Sequence, residues 1–474
     1  MLMRSLTATT DTRLALWLRV REFAVPPSMV ESATTRRAAG DWAGACAAAR
    51  VDVDLNLRAV AREHGPEFAA RVRDDLRHLA PDLLRWHMPR VAPDGLLRPG
   101  LTISLARYDL AGDPVHLVAR TAPAWADAGQ RISLALWDAS GTGRVPYLHP
   151  HPHPDRRFRL DLHRHLWDAR RSGELAHRSG ADDPAGLDGL PDPDSRPDVG
   201  LTGGARPPTG VPEEIGCAVH RWAAEAELLH AAEGRSGGAV TVRLDSRHRF
   251  TVDVGGPPGA LPRITAVPSR DRSRATLLLP DAATWLPPDL ELLRHGLIDA
   301  DGLHPLVAAA LVPDRPRPTP RTADDAGGTR YVDCRGARHR IALVDGVLTA
   351  LDHDPVEVRR EELLTALGGP PLPCLRAVDE THRAPECLVD VRARLDHGDA
   401  AGALAAVEGL LGPDVLLRSG ALRDELEAAA QGRITHGLFR AGLAGLGRGP
   451  ASRDERSRLT RGAVRTRPRH ASGR

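Results

Sequence analysis

Lysine does not occur in this chain: all 64 basic residues are arginine. That absence removes whole enzyme classes. A P-loop needs a lysine for its phosphates, as does a protein-kinase site. A lysine Schiff base to pyridoxal phosphate or to a carbonyl substrate is equally excluded. Asn, Gln and Ile are scarce too, which points to a GC-rich coding genome rather than to selection for arginine chemistry. Aromatics are 3% of the residues. The five cysteines (Cys46, Cys217, Cys334, Cys374, Cys387) are odd in number and never spaced C-x-x-C, which fits free thiols in a reducing compartment. No apolar run reaches the length of a membrane helix. Arg19 interrupts the apolar stretch Leu14 to Val20 and no cleavage-like site follows, so no signal peptide is expected. The expected location is the cytoplasm, away from the membrane.

At 474 residues and a net charge of +2, the chain has room for two to four domains and is neither a polyanion binder nor an acidic tail protein. Its organisation starts from a repeat. Gly40-Asp41-Trp42-Ala43-Gly44-Ala45-Cys46-Ala47-Ala48 and Gly398-Asp399-Ala400-Ala401-Gly402-Ala403-Leu404-Ala405-Ala406 share the frame G-D-x-A-G-A-x-A-A. Downstream, Asp54 to Arg58 echoes Asp414 to Arg418. A glycine that can end one helix, an aspartate that can cap the next, and small residues that let helices approach all predict a helical hairpin. The frame resembles the turn between the two helices of tetratricopeptide-type repeats. The resemblance covers one hairpin at each end, without the tandem period of about 34 residues that such arrays carry.

Between these ends the period changes. Leu101, Ile103 and Leu105 alternate with polar or small residues, followed by Val115 and Leu117, then Ile132 to Leu136, then Phe158, Leu160 and Leu162; four half-buried antiparallel strands are expected. Glu213 to Glu233 reads as a helix, and Val240 to Leu244, Phe250 to Val254 and Ala275 to Leu279 as further strands. Asp345-Gly346 marks a hairpin over Ile341–Leu351. Asp354 opens and Gly368 closes a helix with Val356, Leu363, Leu364 and Leu367 on one face. The fold class expected is α+β, with helical hairpins at both ends flanking a mainly antiparallel β-rich centre. Its parts are a helical N-terminal domain (1–97), a β-rich module (98–171), a disordered linker (172–211) and a helix plus β-rich module (212–311). There follow a flexible linker (312–328), a β-hairpin (329–352), a helical C-terminal domain (353–446) and a disordered basic tail (447–474).

Candidate chemistry centres on His149, His151 and His153, followed by Asp161, His163 and His165. Imidazole and carboxylate together suit Zn, Ni, Cu or Fe(II). A His-Pro run favours polyproline II, in which alternate histidines do not share a face, whereas Asp161 and His163 would share one in a strand. The alternative is a solvated loop plus the polar face of a strand. Cys374, His382, Glu386 and Cys387 form a second group, but their spacing matches no zinc framework; buried cysteines between helices also behave as small hydrophobes. Gly234 to Gly238 sits between helix and strand, the reverse of a nucleophile elbow. Asp299 to Gly302 offers only the start of a calcium loop, and Gly442 to Gly449 is a weak nucleotide loop. From Ser452 onward the tail holds eight arginines against two acids, which could neutralise phosphates but brings no aromatics to stack on bases.

The expected function is therefore a non-catalytic accessory subunit that acts by protein–protein contact in a cytoplasmic multi-protein system, without a cofactor. The alternatives are a metal-dependent enzyme using a transition metal at His149–His165, and a nucleic-acid-associated factor using the tail 452–474.

Overall fold

Gly40 and Gly398, the first residues of the two repeated frames, both take positive φ, 77° and 82°. They do so in a computed structural model that describes residues 12–110, 113–139, 149–181, 216–245, 248–255, 262–267, 277–313 and 330–443. Each glycine ends a helix in a conformation that side chains resist. The aspartate beside it then caps the next helix: Asp41 accepts from the Gly44 amide at 2.8 Å, and Asp399 from the Gly402 amide at 3.3 Å. An arginine five residues earlier holds each cap, Arg36 on Asp41 at 3.1 Å and Arg394 on Asp399 at 3.3 Å. The two frames are thus the same hairpin turn, down to their capping side chains.

The fold is α+β, helical toward both ends, and the chain divides into two units. The first comprises Met1–Ala124, Arg131–Arg317 and Gly445–Arg474; the second comprises Trp125–Gln130 and Pro318–Ala444. In the first unit a helix over 12–19 runs into a π turn, Val20–Ala24. Helices α1 (Pro27–Ala38), α2 (Trp42–Ala48), α3 (Leu57–His64), α4 (Pro66–His78) and α5 (Pro81–His87) follow. Pro27 occupies the first turn of α1, which has no side-chain cap.

Strand β1 (Val51–Val53) interrupts the helices and pairs in parallel with β6 (Ile132–Trp137). With β4 (Thr102–Tyr108) and β5 (Val115–Thr121) it makes a sheet of order β1-β6-β5-β4; β2 (Arg90–Val91) and β3 (Leu96–Leu97) form a small ribbon. Three of the four strands expected here are present. The fourth, at Phe158–Leu162, is not a strand: the chain makes two 3-10 turns, Leu160–Leu162 and Arg164–Leu166. Alternating apolar residues suit a strand, but here Leu160, Leu166 and Trp167 enter the core from tight turns.

The segment after it is ordered through Ala181 as well. Helix α6 (Leu175–Ser179) buries Leu175, so residues 172–181 are not the linker expected there; residues 182–211 lie outside the described residues, as do 314–328 and the basic tail. A second sheet of order β10-β7-β8-β9 is built from β7 (Ala239–Arg243), β8 (Arg249–Asp253), β9 (Arg263–Ala266) and β10 (Leu277–Leu278). It packs with α7 (Trp222–Ala232) around Trp222, Val240, Phe250 and Val252. The two sheets are separate. Short helices α8 (Asp281–Thr284), α9 (Pro288–Arg294) and α10 (Pro305–Leu311) complete the unit, and Leu290, Leu292 and Val307 join the main core.

The second unit opens with a three-stranded meander, β11 (Arg330–Cys334), β12 (Ala337–Val344) and β13 (Val347–Ala350). Asp345 and Gly346 both take positive φ, 50° and 76°, as a two-residue hairpin turn of this type requires. Helix α11 (Pro355–Ala366) starts where Asp354 accepts from the Val356 amide and ends before Gly368. Helices α12 (Pro373–Arg383), α13 (Leu388–Asp396), α14 (Ala400–Leu411) and α15 (Ala421–Arg440) follow. The hairpin α13–α14 packs with α15 through Val391, Ala403, Val407, Leu411 and Leu422. Among the described residues no helix is long and apolar enough to cross a membrane.

Candidate functional site

The histidine run does not assemble. His149 turns inward, where Nε2 lies 3.0 Å from the Thr121 carbonyl and Nδ1 lies 2.9 Å from the His151 carbonyl and 3.2 Å from the His151 amide. Both ring nitrogens thus face a backbone carbonyl, and burial lowers the imidazole's pKa below its ordinary value. His151 and His153 are exposed; His153 packs edge-on against Trp137 with ring centroids 5.6 Å apart. Asp161 is taken up by the Arg159 guanidinium at 2.9 and 2.7 Å. His163 and His165 are buried, with ring centroids 5.8 Å apart. Among the described residues these six offer no cage of three or more ligand atoms. The physical reason is local: the 3-10 turns at 160–166 take Asp161 and His163 off the common strand face that alternation implied.

His163 and His165 instead line a cavity of about 170 Å³ in the first unit. His163 Nε2 is 3.2 Å from the Glu225 carboxylate, and Arg178 grips the same carboxylate at 2.6 and 2.7 Å. Burial alone would raise Glu225, but His163 and Arg178 reverse it and hold the group down at about 2. His87 is the opposite case: burial, then His304 and Arg90, push its pKa down to about 3. Arg13, Arg90, Arg98, Arg157, Arg159 and Arg178 reach the same wall, against Glu225 and Asp281. Most are already paired; Arg157 takes Asp281 at 2.5 Å, and Arg13 takes Glu291. Arg98 lies over the Phe158 ring at 5.7 Å and has no ion-pair partner among the described residues. Its pKa is lowered, by burial first and then by Arg157. A cavity of this lining suits a small anion.

A different surface distinguishes the second unit. Apart from Leu228 and Leu297, every large apolar side chain exposed among the described residues belongs to it. Helix α11 is the clearest case, since none of its twelve residues is buried. Val356, Leu363, Leu364 and, just past its end, Leu367 lie on one face as the spacing implies, but that face is open; Leu367 is 85% exposed. Val344 and Val347, directly paired across the β12–β13 turn, are exposed too.

One set of ligating side chains does converge, also in the second unit: Cys334, His339, His353 and Cys374 each present an atom within 4.8 Å of the others. Sequence reasoning named Cys374 but gave it the wrong company. Glu386 pairs with Arg330 at 2.9 Å, and His382 and Cys387 stand outside the group. The available signal was Cys334 and His339 flanking an Arg-Gly turn. Elsewhere Asp299 caps a 3-10 turn by accepting from the Gly302 amide at 2.9 Å, and Gly234 follows the end of α7 with φ of 65°. Comparison of the chain with protein-family models, with curated proteins and with solved structures finds no match.

Proposed function

We propose that this protein is a non-catalytic accessory subunit that docks onto a partner protein through the second unit, with α11 as the principal contact. One observation carries the reading: a twelve-residue helix with no buried residue and an uncovered apolar stripe. Helices this short are marginal in water unless an apolar face is packed, and contiguous exposed apolar surface marks interaction sites. A stripe at i, i+7, i+8 and i+11 suits the ridge of a partner's amphipathic helix, laid along it as in helix-in-groove recognition. The meander edge at Val344 and Val347 extends the same kind of surface.

The test is affinity isolation of tagged protein from its native cells, in parallel with the double variant Leu363→Asp, Leu367→Asp. A partner recovered reproducibly with the native chain and lost with the variant, at equal helix content by circular dichroism, supports the reading. Equal recovery with both proteins overturns it. Self-association, detected by light scattering and lost in the variant, would make the partner a second copy.

Arg98 favours a second activity, the holding of a small anion in the cavity of the first unit. Inorganic phosphate is the probe: it should raise the melting temperature of the native chain and not that of Arg98→Ala. No shift in the native chain rejects it.

A further inference from the structure

We propose that Cys334, His339, His353 and Cys374 bind one zinc ion in a closed, structural site that fastens the meander of the second unit to α11 and α12. The backbone sets up the first two ligands. Arg335 and Gly336 take positive φ, 53° and 82°, so β11 reverses into β12 through two residues. In that register Cys334 faces Ala337 and Val332 faces His339. Cys334 and His339 therefore project from the same face of the hairpin. Ile341 and Ala350, a directly paired couple further along that face, are both buried. His353 lies in the short link between β13 and α11, and Cys374 in the first turn of α12. Four segments of chain thus each deliver one group to a single point.

The separations are those of ligands awaiting an ion. His339 Nδ1 is 2.8 Å from His353 Nε2 and 3.8 Å from Cys374 Sγ. Edges of a tetrahedral zinc site with ordinary bond lengths are about 3.3 Å for N···N and about 3.5 Å for S···N, so these two edges need shifts of about half an ångström or less. Two thiols and two imidazoles form the S₂N₂ set that selects zinc, and four protein ligands leave no open position for a substrate. Beyond the first ring, His353 Nδ1 lies 3.6 Å from Glu357, close enough for a carboxylate–histidine pair to form when Nε2 takes a metal. Arg335 pairs with Glu357 and, at 2.8 Å, with Glu361, tying the hairpin turn to α11.

Packing gives the reason for such a site. The small cluster that joins meander to α12 has four buried members, Cys334, Ala350, Leu372 and Cys374, and two of these are the thiols. Helix α11 contributes no buried residue. A segment with so little core is of the kind that a structural metal stabilises. This inference is independent of docking: the ion can be present whether or not a partner is.

The experiment is metal analysis of the purified full chain. About one zinc per chain is expected, falling to background in Cys334→Ser, Cys374→Ser and the double variant. His163→Ala and His382→Ala should keep it. Because the cysteine variants could misfold, chelator-stripped native protein is also titrated with Co²⁺. A one-to-one end point with a thiolate-to-cobalt charge-transfer band and the intense visible bands of tetrahedral cobalt supports the site. Native protein without metal that takes up no stoichiometric Co²⁺ overturns it. So do iron in place of zinc, and a Cys334–Cys374 disulfide in the intact mass.

Discussion

His339 Nδ1 lies 2.8 Å from His353 Nε2, fourteen positions away along the chain. Two imidazoles that close can share one proton or one metal ion, and the two thiols beside them favour the ion. Glu357 stands 3.6 Å from the far nitrogen of His353, where a small shift would let it accept from that ring on metal binding.

Glu357→Ala is accordingly expected to weaken zinc retention by about tenfold or more, since removal of a carboxylate behind a ligating histidine has effects of that size. Competition against a chromogenic chelator measures it. An unchanged affinity would mean that Glu357 serves only its ion pair with Arg335.

At the end of α14, Gly412 has φ of 94°, and a Cβ placed there would lie 1.8 Å from the Gly346 carbonyl oxygen. Gly412→Ala should therefore destabilise the second unit by about 1–3 kcal/mol or more, from backbone strain and lost close approach. Gly409, inside the same helix, has nothing within 4 Å of such a Cβ. Gly409→Ala should stabilise by up to about 1 kcal/mol. Urea denaturation of both variants checks the opposite signs.

Acid should weaken the first unit in two stages. His87, pushed down from 6.5 to about 3, stays neutral in the folded chain. Its contribution is present above about pH 6.5 and is lost as pH falls toward 3, because the unfolded chain takes up the proton first. Glu225, held at about 2 against an ordinary 4.5, adds stability above about pH 4.5 that is lost as pH falls toward 2. Glu225→Gln should cost about 3 kcal/mol near neutral pH by leaving Arg178 without its buried counter-charge, and should flatten the lower stage. Urea midpoints at about pH 7.5, 5.5 and 3.5 test this; a midpoint independent of pH in the native chain contradicts it.

What was legible in the sequence was what short-range chemistry decides. Gly40-Asp41 and Gly398-Asp399 announced their hairpins because turn and cap are written within four residues. Asp345-Gly346 announced its turn for the same reason, and Ile103, Leu117 and Leu134 their strands by alternation. Strand β1 escaped because Val51–Val53 is too short for a pattern and pairs with β6 across eighty residues of chain. The repeat also stops early: Arg50, at φ of 58°, follows α2, whereas α14 continues to Leu411. Leu160 and Leu162 alternate as a strand would, yet they occupy a 3-10 turn. The Cys334, His339, His353 and Cys374 group escaped because its members meet only when a meander and a helix start are stacked, and no local window contains them all.

The docking of α11 is tested most directly by hydrogen exchange over residues 355–367, read in the isolated chain and in the complex recovered from native cells. The account predicts rapid exchange in the isolated chain, where no residue of the helix is buried, and strong slowing in the complex. Exchange over this helix that is unchanged in the complex, with slowing elsewhere in the chain, would contradict it.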